Sequence, residues 1–90
     1  MGVGKRNMEI EKERAELVSK SVDEILQKLK QSRGYAPIIA EEAAEKEEIR
    51  PIVIEAMKKY IKEENGPEAA AINRMLLELE IIEFLEVLKD

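Results

Sequence analysis

From Pro67 to Asp90 the chain reads PEAAAINRMLLELEIIEFLEVLKD, and as a helix its large apolar residues fall on two sides rather than one. At 100° per residue, Leu77, Ile81, Phe84, Leu85 and Leu88 share an arc of about 100°, while Ile72, Met75, Leu79 and Ile82 share a second arc roughly 160° away. Each row follows alternating steps of three and four, the spacing of a heptad seam. One stripe is enough to dock a helix on a small core. A helix with two seams needs neighbours on both sides, and any fold of this chain must provide them. Glu80 and Glu83 fill one gap between the rows, and Glu78 and Glu86 fill the other.

The neighbours available within the chain are set off by three breaks. Arg33-Gly34-Tyr35-Ala36-Pro37 interrupts the helical pattern, with Gly34 expected to close one helix in the left-handed conformation and Pro37 suited to the first turn of the next. Pro51 has no N–H and pushes Arg50 out of the helical region, so a helix is expected to begin there, a kinked continuation being the alternative. Asn65-Gly66-Pro67 supplies a stop and a start in three residues.

Between the breaks the periodicity is helical. From about Asn7 to Ser32 a single helix is expected, with Met8, Ala15, Val18, Val22, Ile25 and Leu29 as its seam; Val18, Val22, Ile25 and Leu29 are expected to pack on the last helix. The segment after Pro37 offers mainly Ile39, Ala40, Ala43 and Ala44, a thin apolar face. After Pro51, Val53, Ile54, Ala56, Met57, Tyr60 and Ile61 form one face, and Glu55 and Lys59 stand at the favourable i, i+4 spacing on the other. The reading is an all-α single domain over residues 1–90, a small bundle of about four helices with the first and last longest and residues 1–6 disordered. Because the second helix is poor in large side chains, the bundle is expected to be completed by a second chain. The row Ile72, Met75, Leu79 and Ile82 is assigned to that contact, and the row carrying Phe84 to the chain's own core.

Composition narrows the chemistry. There is no cysteine and no histidine, which removes disulfides, thiolate metal sites and the commonest general base. Ser19, Ser21 and Ser32 therefore have no imidazole to activate them. Carboxylates are the remaining catalytic material: Glu45 with Glu48, and Glu83 with Glu86, are i, i+3 pairs whose oxygens are weak candidates for holding Mg²⁺. Residues 1–35 carry eight basic and six acidic side chains, whereas residues 36–90 carry seven and fourteen. An acidic majority repels phosphates, leaving only the N-terminal helix as a conceivable nucleic-acid contact. The abundance of Lys and Glu among the 39% charged residues is of the kind found in thermophile proteins and idealised designs. No stretch is apolar enough to span a membrane and no signal peptide is recognisable, so a cytoplasmic protein is expected.

These features favour a non-enzymatic helical interaction module, a small subunit or adaptor assembling through its C-terminal helix. Its expected partner is a second copy in a homodimer, or a heterologous helical protein, with no cofactor. The alternative is an acidic Mg²⁺-dependent helical nucleotide hydrolase. Nucleic-acid binding through the N-terminal helix is third.

Overall fold

The computed structural model describes residues 21–89, which form four helices: α1 (Val22–Gln31), α2 (Tyr35–Glu45), α3 (Arg50–Glu63) and α4 (Pro67–Lys89). No strand occurs among the described residues. Pro51 lies at the start of α3 and Pro67 opens α4, where a missing N–H costs no helical hydrogen bond. Pro51 thus starts a helix rather than kinking one. Met8, Ala15 and Val18 of the expected first seam lie outside the described residues.

Two of the sequence-based expectations about helix ends are corrected. The pattern from Asn7 to Ser32 suggested one uninterrupted helix, but Ser21 is extended and caps a helix beginning at Val22, its hydroxyl accepting from the Glu24 N–H at 3.4 Å. The Ser21-Val22-Asp23-Glu24 run has the form of a capping box, and Asp23 and Glu24 suit the positive end of the helix. Gly34, expected in the left-handed region, instead stands at the N-cap of α2 with φ −69° and ψ −17°. α1 ends through Ser32, whose N–H donates to the Lys28 carbonyl and whose hydroxyl accepts from the Gly34 N–H. Positive φ is needed at Gly66, at +131°, where the chain turns from α3 into α4.

α3 is the hub, packed against α4 and α1, while α2 rests on both α4 and α3. Ile25, Ile39, Val53, Met57 and Leu79 are essentially without solvent contact, and Ile72 and Leu76 join them. α1 therefore buries Ile25 and Leu29 mainly against α3 rather than against the last helix as expected. Small residues at Ala36, Ala43 and Ala56, all buried, let the backbones approach closely. At 1.5 Å per residue, α4 with its 23 residues is about 34 Å long, against about 16 Å for α2 with 11 and about 21 Å for α3 with 14. The last helix outruns its neighbours. Among the described residues, no helix is long and apolar enough to cross a membrane.

Candidate interaction surface

The side on which α2 and α3 pack decides which stripe of α4 is covered. Ile72 and Leu79 are 3% and 2% exposed. Met75 and Ile82 are half-buried and, with Ala40 and Ala44, line an open groove between α2 and α4. Leu77, Ile81, Phe84, Leu85, Val87 and Leu88 are 52–69% exposed. Burial is thus the reverse of the expectation, in which Ile72, Met75, Leu79 and Ile82 met another chain. The inner row starts in the first half of α4, where α2 and α3 are within reach, and ends with Ile82. The Phe84 row begins at Leu77 and points away from both neighbours, so the larger side chains it carries bring no burial.

At the same level the inner side of α4 is held by a buried arginine. Arg50, whose side chain is 2% exposed, donates from Nη1 to Glu83 Oε1 at 3.0 Å. Its Nε donates to the Ala43 carbonyl at 2.9 Å and its Nη2 to the Ala44 carbonyl at 3.1 Å. Those carbonyls belong to the last turn of α2, which has no intrahelical donors left for them. One guanidinium joins the end of α2, the start of α3 and the side of α4. In the sequence Arg50 stood out only as the residue before a proline. Its role depends on where α2 ends in space, which no spacing rule conveys.

The carboxylates considered for Mg²⁺ are not brought together. Glu45 and Glu48 are exposed near the end of α2 and in the following turn, Glu83 is tied to Arg50, and Glu86 is half-buried on α4. Among the described residues, no three carboxylates converge in a way that could hold a metal ion. Glu42, on the same helix as Glu45, turns inward and binds Lys46 at 2.9 Å. This hydrogen bond, and then the Glu42 charge, hold the Lys46 ammonium above the ordinary lysine pKa. A second open apolar groove, of about 240 Å³, is lined by Leu29, Ala36, Tyr60, Ile72 and Met75, with the Arg33–Glu68 ion pair at its rim. Polar groups do not converge in it as a catalytic or ligand-orienting set would.

Comparison with models of protein families, with curated proteins and with solved structures finds no match to this chain. The outer face of α4 is therefore judged on its own chemistry. It is a row of six large apolar side chains with Glu78 and Glu80 at its margins and Arg74 and Lys89 towards its ends.

Proposed function

We propose that this chain is a non-enzymatic helical interaction module, a small subunit or adaptor, that assembles through the outer face of α4. The observation carrying this reading is the exposure, by more than half, of Leu77, Ile81, Phe84, Leu85, Val87 and Leu88 on one helix. Full burial of such a side chain is worth roughly 1.5–3 kcal/mol, so covering the exposed half of six would contribute on the order of 5–9 kcal/mol. That is comparable with the whole stability of a small domain. Single exposed leucines need no explanation, but a contiguous row at heptad spacing is the form in which helices recognise helices. The Mg²⁺-dependent hydrolase has no comparable support, because among the described residues no three carboxylates converge and one of its four glutamates serves Arg50.

The test is site-specific photo-crosslinking in living cells. A photoreactive residue at Ile81 should give discrete adducts, and the same residue at Glu55, on the exposed side of α3, should not. An Ile81 probe that gives no adduct, or the same faint smear as Glu55, refutes the reading. Adduct mass then separates a second copy from a different protein.

A further inference from the structure

We infer that the occupant of this face is a second copy of the same chain, lying antiparallel along α4, with Leu77 over the partner's Leu88 and Ile81 over the partner's Phe84. The inference rests on the reading of the outer face as an assembly surface and adds the identity and direction of what covers it. Three observations carry it.

The first is the spacing. Leu77, Ile81, Phe84 and Leu88 are separated by four, three and four residues, a pattern that reads the same from either end. A reversed copy therefore meets it layer for layer, as a two-fold axis requires.

The second is charge. In the antiparallel register Glu78 lies beside the partner's Leu85, and Glu80 lies beside the partner's Val87. Neither glutamate faces another, and the partner's Lys89 comes within side-chain reach of Glu78. A parallel copy would instead place Arg74, one heptad before Ile81, in the same layer as its own equivalent. Like charges so placed oppose that orientation.

The third is area. Six large side chains more than half exposed present roughly 600 Å² of apolar surface, the upper end of what a monomer usually shows. Two such faces together remove up to about 1,200 Å² from water, which reaches the lower edge of the range of specific protein interfaces.

The purified full-length protein tests this directly. Sedimentation at high micromolar concentration should give a dimer. Phe84→Glu should weaken it at least tenfold while leaving the far-ultraviolet circular dichroism unchanged, because Phe84 is 64% exposed within its own chain. Direction follows from two variants, each supplying the only thiol in a chain that has no cysteine. Under mild oxidation, mixed Leu77→Cys and Leu88→Cys chains should form a mixed disulfide. Neither variant should cross-link to itself, since like positions then lie about 16 Å apart along the pair, beyond the roughly 7 Å that a disulfide spans between Cα atoms.

Self-linking of Leu77→Cys without the mixed product overturns the antiparallel arrangement. A dimer indifferent to Phe84→Glu places the contact elsewhere and overturns the inference. A monomeric wild type removes the second copy as occupant. Assembly through this face is then judged separately by the Ile81 adduct in cells, whose mass would show a different protein.

Discussion

Replacing Arg50 with methionine keeps most of the side chain's length and removes its three hydrogen bonds. The Ala43 carbonyl suffers most, because Ala43 is 0% exposed and water cannot take the place of Nε. A buried acceptor left unmet costs about 1–3 kcal/mol. The Ala44 carbonyl belongs to a half-buried residue, where solvent can substitute in part. The Glu83 carboxylate is 36% exposed, so its lost ion pair is discounted to about 1 kcal/mol or less. Against these losses stands the desolvation of a guanidinium that methionine never incurs. The net expectation is a loss of about 2–4 kcal/mol, mostly from the end of α2. Glu83→Gln retains an oxygen that can accept from Nη1 and should cost less than about 1 kcal/mol. Urea unfolding followed at 222 nm, repeated at several protein concentrations so that any association is separated from folding, measures both. If Arg50→Met lies within about 1 kcal/mol of wild type, or if Glu83→Gln is equally damaging, the claim that Arg50 anchors the α2 carbonyls is wrong.

Ile25→Ala, at a site with 0% exposure, should destabilise by about 2–5 kcal/mol in the same assay, and a loss near zero would mean that α1 is not seated on α3. Gly66→Ala forces a Cβ onto a backbone with φ +131° and should cost about 1–3 kcal/mol even though that Cβ would meet only the Glu68 carboxylate, at an ordinary contact distance of 3.7 Å, read as a lowered melting temperature. The raised pKa of Lys46 means that its pairing with Glu42 stabilises the fold fully below the unfolded value of 10.5 and that this contribution is lost as pH rises through the folded value. Wild type should therefore lose slightly more stability than Glu42→Gln between pH 9 and the pH where Lys46 is neutral, the effect being small because the lysine side chain is 43% exposed.

The breaks between the four described helices could be read from proline and glycine, whose constraints are local. Pro51 and Pro67 mark helix starts, and Gly66 takes the positive φ that its place between Asn65 and Pro67 suggests. The break at Ser21 was equally local, since Ser21 and Glu24 have capping-box spacing, but a strong apolar period running through both residues masks it. Which stripe of α4 is buried was not legible. Two rows of similar strength on one helix are distinguished only by what stands opposite them, and that depends on the side of α4 along which α2 and α3 pack. Phe84 suggested a core by size alone, yet it lies on the side of α4 turned away from both helices. Glu83 seemed a solvated margin until Arg50, distant in sequence and buried, was placed next to it.

The three connections between helices, residues 32–34, 46–49 and 64–66, are each about as short as a helix hairpin permits. Successive helices are joined almost without slack, so a large share of the contacts needs little loop closure. Chains of this kind fold on the microsecond to millisecond scale. The pairing of α3 with α4 across Gly66 needs the least search, whereas the Arg50–Glu83 bridge closes a longer span of chain. A folding nucleus built from α3 and α4 follows, with the seating of α1 on α3, which joins helices far apart in sequence, as a late event. In a stopped-flow experiment Ile25→Ala should speed unfolding and leave the refolding rate nearly unchanged.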